Sequence, residues 1–258
     1  MRFGGIGRLY GATALNKFRG SHVCVVGIGG VGTWAAEALA RSGIGKITLV
    51  DMDDICVTNV NRQLHALEGS IGISKVTAIA ERIQSINPEA EVRSIEEFFT
   101  TLNAEQILGA GFDHVVDAID NMANKCLLIS ESRKREIPIV TCGGAGGLQS
   151  GLGIRIDDLS RSTNDALLRL VRKKLRREYE FPTNLNEPFD VTAVFSTGSP
   201  VYPWRDGSVC KNKEEGSALQ LDCASGFGTA TFVTGAIGFA AAEHVIRSLA
   251  DQPSTKTD

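Results

Sequence analysis

The sequence has 258 residues and a mass of 27.6 kDa, and with 43% hydrophobic and 22% charged residues it excludes disordered and collagen-like proteins. Its formal net charge of −3 excludes nucleic-acid binding by bulk positive charge, although it leaves room for a local basic surface. Six cysteines are scattered without a C-x-x-C pair, which is typical of reduced thiols in a cytoplasmic protein and argues against a zinc ribbon or a secreted disulfide scaffold.

Short apolar strands alternate with helical segments from residue 22 to residue 142. The predicted strands are residues 22–26, 46–51, 91–95, 114–119 and 137–142, and the predicted helices are residues 34–41, 75–87 and 125–135. Strands that alternate with helices in this way predict an α/β fold, with a Rossmann-like, doubly wound and mostly parallel sheet.

The pattern changes after the glycine-rich segment 143–147. Two further strands are predicted at residues 153–156 and 191–196, on either side of a charged helix over residues 165–179. Residues 206–217 are polar without periodicity and predict a mobile loop. Because no linker separates the two parts, we expect a single domain over residues 1–258, with a nucleotide-binding half at 20–145 and a C-terminal elaboration of the same sheet at 146–258.

The two ends of the chain bear on targeting. The first residues contain no apolar segment of a secretory signal, in keeping with a cytoplasmic protein. Residues 223–242 carry no charge over a length that would span a membrane, but they are rich in glycine and alanine. We therefore expect a small-residue helix packed closely inside the protein, with membrane contact as the less favoured alternative.

A glycine-rich turn follows the first predicted strand. Residues 27–32 match G-x-G-x-x-G through Gly27, Gly29, Gly30 and Gly32, between a strand and a helix. Glycines let the backbone approach phosphate oxygens, and the helix N-terminus supplies free amides. Asp51 ends the next strand, where a carboxylate accepts hydrogen bonds from ribose hydroxyls. The pattern predicts a nucleotide site, NAD being the usual ligand, and the alternative is a turn without a ligand.

Polar and charged side chains follow the second strand closely. The segment contains Asp51, Asp53, Asn59, Arg62 and Gln63. A hydride-transferring enzyme has no need of such a set, whereas breaking a triphosphate requires cations on the leaving group. Arg62 can grip a phosphate with its forked guanidinium, and Lys75 can add a point charge.

A further polar group ends the predicted strand 114–119. Asp117, Asp120 and Asn121 lie at the same carboxyl edge of the predicted sheet as the glycine turn, where ligands of such folds bind. An acid at this edge is a candidate magnesium ligand, because magnesium favours hard oxygen ligands together with phosphates.

In this order and spacing, the motifs resemble the nucleotide site of the ThiF/MoeB-type adenylating enzymes, relatives of the ubiquitin-activating enzymes. The resemblance covers about residues 20–145 and implies ATP and magnesium as cofactors. It implies that Asp51 holds the ribose, that Asn59 and Arg62 hold phosphates, and that Lys75 contacts the phosphates or the attacked centre. It also implies that Asp120 holds the metal.

The resemblance further implies a homodimer whose sites are completed in trans. In the family an arginine of the N-terminal segment enters the partner's site, and Arg8 stands at the corresponding position in F-G-G-I-G-R-L-Y-G. The half at residues 146–258 would then carry substrate and dimer contacts.

Two departures narrow the resemblance. Members that charge sulfur-carrier proteins usually bind zinc through two C-x-x-C pairs, and this sequence has none. The segments 143–147, 201–203 and 222–228, with the N-terminal motif, resemble instead the branch that dehydrates threonylcarbamoyladenosine in tRNA. That branch implies ATP-dependent ring closure through an acyl-adenylate, with modified tRNA as the macromolecular partner.

Three side-chain features have competing interpretations. Cys223 is a candidate covalent catalyst, which would form a thioester or receive a persulfide from a sulfur-transfer partner such as a cysteine desulfurase system. The alternative, which we favour, is a small side chain packed in the protein. The segment 161–180 has a local charge of +4 and is either a solvated face or an RNA contact. His65 follows Arg62 closely and is a weaker candidate for the site.

Three other functions remain open at this level. An enzyme that activates a ubiquitin-like or sulfur-carrier protein would be expected to carry the two C-x-x-C pairs, which this sequence lacks. An NAD-dependent dehydrogenase would bind NAD and not ATP. A non-catalytic scaffold for a sulfur-transfer protein would show no ATP hydrolysis, and the full set of phosphate-site side chains argues against it.

Overall fold

The computed structural model describes residues 2–214 and 227–251. The strands are β1 (His22–Val26), β2 (Lys46–Val50), β3 (Glu91–Ile95), β4 (His114–Asp117), β5 (Ile139–Cys142), β6 (Ile154–Asp158), β7 (Thr192–Ser196), β8 (Tyr202–Pro203) and β9 (Val209–Cys210). The α-helices are α1 (Gly4–Tyr10), α2 (Ala12–Gly20), α3 (Gly30–Arg41), α4 (Lys75–Ile86), α5 (Ala104–Leu108), α6 (Met122–Lys134), α7 (Ala166–Glu178) and α8 (Thr231–Asp251).

Seven strands form one sheet in the order β3-β2-β1-β4-β5-β7-β6. All neighbouring pairs are parallel except β6 and β7, which are antiparallel. The predicted doubly wound, mostly parallel sheet is therefore confirmed. The chain moves outward from β1 to β2 and β3, and then returns to place β4 on the other side of β1. This reversal is the point at which ligands bind in folds of this class.

The sheet continues into the second half of the chain. β7 pairs with β5, and β6 forms the edge beyond it, so the halves divided near residue 146 share one sheet. Helices flank both faces of the sheet, and an apolar cluster of strand and helix residues fills the space on each side. The division into a nucleotide half and a substrate and dimer half stays a prediction.

Helix α8 packs closely against α3, as expected for a helix rich in small residues. A Cβ on Gly238 would lie 2.5 Å from the carbonyl oxygen of Val31, so only glycine permits this approach. Ile237, Ala241 and Val245 on the same helix are fully buried. No helix in the described part of the chain is long and apolar enough to cross a membrane.

One segment predicted as an irregular loop is partly ordered. Val209 and Cys210 form β9, which pairs with β8 in a short hairpin, and Trp204 donates from Nε1 to the carbonyl oxygen of Asn212 at 3.0 Å. Residues 215–217 of the predicted loop lie outside the described residues. The strand pairing at residues 209–210 was not predicted, because two residues on each strand suffice to pair but are too few to show a sequence period, and the predicted mobility of the loop stays a prediction.

Candidate active site

A cavity of about 460 Å³ opens at the carboxyl ends of β1, β2 and β4, where the strand order reverses. Its walls come from the glycine turn, the segments that follow β2, β3 and β4, residues 143–146, and the start of α8. Most of the predicted nucleotide-site residues lie on this wall: Gly27, Gly29, Gly30, Asp51, Asp53, Arg62, Gln63, Lys75, Asp120 and Asn121.

The glycine turn has the geometry of a phosphate-binding loop at the start of α3. Gly27 has a φ of +91°, and a Cβ there would lie 2.7 Å from the carbonyl oxygen of Ala118. A Cβ on Gly32 would lie 1.8 Å from the carbonyl oxygen of Gly27, so Gly32 shapes the turn from outside the cavity wall. Gly29 faces open space, since its nearest neighbour would be Gln63 Nε2 at 3.9 Å. Two glycines thus fix the turn, and Gly29 leaves room for a ligand.

Asp51 fastens the glycine turn to the end of β2. Its Oδ2 accepts from the amide of Ile28 at 2.6 Å, and its Oδ1 accepts from the amide of Asp53 at 2.9 Å. Burial raises the pKa of this carboxyl, and the charge of Lys75 acts against that rise. Both oxygens are held by backbone while the side chain borders the cavity, which suits a residue that orients a bound nucleoside.

Arg62 is held on the cavity wall through its backbone and its guanidinium. The side chains of Trp34 and Thr234 both donate to its carbonyl oxygen, at 3.3 and 3.2 Å. Its Nη1 donates to the carbonyl oxygen of Thr58 at 2.6 Å and to Oδ1 of Asn61 at 3.1 Å. The arginine is thus placed in advance of ligand binding, which lowers the entropy lost when a phosphate binds.

Lys75 is the first residue of α4 and pairs with Asp53. Its Nζ lies 2.7 Å from Oδ2 of Asp53, and its side chain is only 8% exposed. Since this lysine and Arg62 both line the cavity, two cations face the space beside the glycine turn. Such an arrangement can stabilise negative charge that develops on a phosphate chain.

Gln63 and Asn59 lie in the same segment but play different parts. Gln63 lines the cavity, and its buried Oε1 has no hydrogen-bond partner within the described residues. Asn59 is 4% exposed and lies off the cavity wall, and its Oδ1 accepts from the amide of Cys56 at 3.0 Å. Asn59 therefore shapes the turn that carries Arg62, and its expected contact with phosphate stays a prediction.

Asp117 is placed differently from the expectation of a nucleotide-binding acid. It is fully buried below the cavity, with Lys125 Nζ at 3.0 Å from its Oδ2 and Thr141 Oγ1 at 2.6 Å. A strand-end carboxylate can point to either side of the sheet, and the buried cation Lys125 determines the side here. Asp120, three residues later, is exposed on the cavity wall, and Asn121 caps α6 by accepting from the amides of Ala123 and Asn124.

Several wall residues were not found from the sequence. Phe98 and Phe99 follow β3, Asn124 lies on α6, Phe227 precedes α8, and Thr234 lies in its first turns. Because the two phenylalanines follow a strand that ends at the carboxyl edge of the sheet, the sequence could have predicted their position beside the cavity. Nothing in the local pattern marks Thr234, which reaches the site only because α8 packs on α3.

Two other candidates lie outside this wall, and a third is not among the described residues. Arg8 is exposed on α1 and does not line the cavity of its own chain. Cys223 lies outside the described residues. His65 is buried and its Nε2 lies 3.0 Å from the carbonyl oxygen of Ile28, with burial lowering its pKa to about 4, so a neutral imidazole supports the glycine turn from behind.

The family model described as ThiF family matches residues 6–258. The chain belongs to the ThiF family. The tRNA threonylcarbamoyladenosine dehydratase of Escherichia coli strain K12 is 48% identical over 249 residues, which is 96% of this chain and 93% of that protein. The protein of the same name from Haemophilus influenzae is 46% identical over 98% of this chain and 95% of its own length.

Solved structures of ThiF-family relatives agree with the fold. The crystal structure of the E. coli tRNA N6-threonylcarbamoyladenosine dehydratase, TcdA, in complex with ATP is 44% identical and superposes with a TM-score of 0.86. The match covers 96% of this chain and 93% of that one. The same enzyme in complex with AMP gives a TM-score of 0.85 over the same coverage.

Proposed function

We propose that this chain is an ATP-dependent dehydratase of threonylcarbamoyladenosine in tRNA. The observation that carries the proposal is the cavity in which Arg62 and Lys75 face the glycine turn, in a chain 48% identical over 96% of its length to a relative of that name. A nicotinamide enzyme needs no such pair of cations beside its dinucleotide, and the ATP complex of the TcdA relative supports ATP as the nucleotide here.

The reaction has two steps that together remove water. The threonyl carboxylate is a poor electrophile because its charge is delocalised, so one of its oxygens attacks the α-phosphorus of ATP and pyrophosphate leaves. A urea nitrogen of the same modified base then attacks the acyl-adenylate carbonyl. The new C–N bond replaces the C–O bond to AMP, which leaves with the oxygen, and the nitrogen loses its proton. The ring therefore closes with the net loss of one water.

The enzyme's part in this scheme is to bring two anions together. Arg62 would grip the phosphates in a fork, and Lys75 would neutralise charge near the attacked phosphorus. Asp51 would hold the ribose, while Gly29 leaves room for the phosphates beside the amides at the start of α3. Gln63 borders the same cavity, and its buried Oε1 has no hydrogen-bond partner within the described residues.

Magnesium fits the residues at the edge of this cavity. Asp120 presents one exposed carboxylate on the wall, and the described part of the chain contains no cluster of three acidic, histidine or cysteine side chains that would hold a metal alone. Magnesium is commonly bound by one or two carboxylates together with phosphates. Bound there with Asp120 as its protein ligand, it would neutralise negative charge on the triphosphate.

A homodimer would complete the site through Arg8. Phe3, the residue just before the short helix α1 that carries Arg8, packs beside Gly43, beyond the C-terminal end of α3, whereas the cavity lies at the N-terminal end of α3. The 12 residues of α3 separate these ends by about 18 Å. Arg8 is therefore better placed to serve a partner's site than its own.

Three further expectations stay predictions. A sulfur-transfer partner depends on Cys223, which lies outside the described residues. Covalent catalysis by Cys223 has the same status. A cytoplasmic location agrees with the five free cysteines among the described residues.

The deciding experiment is nucleoside mass spectrometry. Transfer RNA that carries threonylcarbamoyladenosine is incubated with the purified protein, ATP and magnesium, and its nucleosides are analysed. We expect the modified nucleoside to lose the mass of one water, with release of AMP and pyrophosphate. The proposal would be overturned if the protein hydrolysed ATP while the mass of the nucleoside stayed the same, or if no nucleotide supported a change in that mass.

A further inference from the structure

A second cavity, of about 460 Å³, lies on α7 away from the glycine turn. It is lined by Arg169, Arg172, Lys173, Arg176, Arg177 and Thr183, so five of its six lining residues are cations and none is an acid. We call this group the α7 basic cluster. On the opposite side of the same helix, Leu168, Val171 and Leu175 are fully buried in the core.

The α7 basic cluster is only partly neutralised by the protein. Arg177 donates from Nε to Glu178 Oε1 at 2.9 Å, and Lys174, outside the cluster, also pairs with Glu178. Within residues 2–214 and 227–251, by contrast, the side chains of Arg169 and Lys173 make no hydrogen bond or ion pair. Glu178, the acidic residue within α7, lies at the C-terminal end of the helix, so Arg169 and Lys173 in the middle have no acidic partner on it.

The remaining two arginines are held in fixed positions. Arg176 donates from Nε to the carbonyl oxygen of Pro182 at 3.1 Å and lies over the ring of Phe189, with 4.7 Å from Cζ to the ring centroid. Arg172 donates to the hydroxyl of Ser162. Burial and the charge of Arg176 lower the pKa of Arg172, the charge of Asp165 acts against this, and the charge of Arg169 lowers it further. The guanidinium groups are therefore gathered against their mutual repulsion, which a bound anion would relieve.

The cluster also has a fixed relation to the nucleotide cavity. Asp165 caps α7 and its Oδ2 accepts from the amide of Gly144, while Leu167, in the first turn, lines the nucleotide cavity. Nine residues later on the helix is Arg176, about 14 Å away along the axis. One nucleic-acid strand advances about 3.4 Å of helix axis per nucleotide, so this distance corresponds to roughly four nucleotides.

Resting on the proposed function, we infer that the α7 basic cluster binds the phosphate backbone of the substrate tRNA on one side of the modified base. Charge complementarity carries the choice of occupant, because forked guanidinium groups at successive helical turns match successive phosphates. Backbone contacts fix the position of a nucleic acid without reading its sequence. The cluster therefore positions the RNA while the nucleotide cavity performs the chemistry, and this explains how a chain of net charge −3 holds an RNA substrate.

The test uses two double variants of the full-length protein that remove the same charge. Arg169→Gln/Lys173→Gln neutralises the two cluster cations without protein partners. Lys46→Gln/Arg93→Gln removes two exposed cations from β2 and β3, at the opposite edge of the sheet. Initial rates of water loss are measured against tRNA concentration at several salt concentrations, together with melting temperature and ATP affinity.

We expect the cluster variant to raise KM for tRNA on the order of tenfold and to reduce the slope of log affinity against log salt by roughly 1.5 to 2. Its kcat at saturating tRNA, melting temperature and ATP affinity should match wild type, and the control should match wild type throughout. Unmodified tRNA should compete with the same loss of affinity, since the contacts are to phosphate.

The outcomes separate this inference from the proposed function. Wild-type protein that forms no dehydrated product would overturn the proposed function. Wild-type activity with an unchanged KM and salt slope in the cluster variant would overturn the role of α7 alone. A loss of equal size in the control would show that only the total charge matters, and would overturn it as well.

Discussion

Lys125 Nζ lies 3.0 Å from Oδ2 of Asp117, and both side chains are completely buried. The same ammonium donates to the carbonyl oxygen of Ile119 at 2.8 Å, so it holds the turn that leads to Asp120. Burial raises the pKa of Asp117, and the charge of Lys125 opposes that rise. The pair thus supports the floor of the nucleotide cavity from below.

Lys125→Met should lower the free energy of unfolding by about 3–5 kcal/mol, because it leaves a buried carboxylate without its cation. Urea denaturation measures the change. Lys134→Met, an exposed position on the same helix, should stay within about 0.5 kcal/mol of wild type. Adding Asp117→Asn to Lys125→Met should recover part of the loss, since both charges are then removed. Equal stability of the Lys125 and Lys134 variants would contradict this interpretation of the pair.

The glycine turn allows shape and ligand access to be tested separately. Gly29 has a φ of −87° and open space around its Cβ position, so Gly29→Ala should keep wild-type stability while its methyl group obstructs phosphate and weakens ATP binding about tenfold or more. Gly32→Ala should instead destabilise the fold by about 3 kcal/mol or more, because its methyl group would meet the Gly27 carbonyl oxygen. Calorimetric titration with ATP and thermal melting separate the two. Unaltered ATP affinity in Gly29→Ala would place the phosphates elsewhere.

Arg62 and Lys75 should carry the adenylation step. We expect Arg62→Ala and Lys75→Ala each to lower the rate of pyrophosphate exchange into ATP by about 10²–10³-fold, since each removes a cation beside developing charge. Arg62→Lys should recover only part of the rate because it keeps the charge without the fork. Lys46→Ala, an exposed control on β2, should exchange at the wild-type rate. If Arg62→Ala and Lys75→Ala both exchanged pyrophosphate at the wild-type rate, neither residue would belong to the site.

The parallel sheet and the glycine turn were predictable because each depends on local sequence. Strands β1 and β2 match their predictions to within one residue, since buried parallel strands are short apolar runs bounded by turns. The exposed edge strand β3 also has its predicted bounds. The turn between β1 and α3 is marked by its glycines. The carboxyl edge then follows from topology alone, and with it the location of the cavity.

Other features depend on contacts that the strand and helix patterns of the sequence do not show. The N-terminal helices α1 and α2 were not predicted, since glycine at residues 4, 5, 7, 11 and 20 disfavours a helix and packing overrides that preference. The orientations of Asp117 and Asn59 are set by Lys125 and by the amide of Cys56, neither of which a strand-end motif reveals. The sequence also does not indicate which cations of α7 are neutralised by Glu178.

Acid stability should depend on Glu37, which joins α3 to α4. Burial raises its pKa, but hydrogen bonds from Arg82 at 2.7 and 3.0 Å and from Arg41 at 2.7 Å bring it below the usual value of 4.5. A carboxyl whose pKa is lowered by folding stabilises the protein fully above its unfolded pKa, and this stabilisation is lost as the pH falls through the folded pKa.

Glu37→Gln should therefore lower the free energy of unfolding by about 1–3 kcal/mol at neutral pH. The difference from wild type should shrink as the pH falls below about 4.5, where the wild-type carboxyl begins to protonate. Urea denaturation from pH 7 down to pH 3 measures both. Glu89→Gln, at an exposed position, serves as the control and should follow the wild-type curve. A difference that grows toward low pH would show that the ion pairs with Glu37 do not stabilise the fold.

The proposed dimer predicts that two inactive variants restore activity when mixed. Arg8→Ala protomers would carry an intact cavity but no arginine for a partner, and Lys75→Ala protomers would carry the arginine but a defective cavity. Random reassociation makes half of the dimers mixed, and each mixed dimer has one complete site, so activity should recover to about one quarter of wild type. Unfolding and refolding the two variants together, against the same treatment of each alone, measures this recovery. If Arg8 served its own chain, every site would lack one of the two residues, and the mixture would stay as inactive as its components.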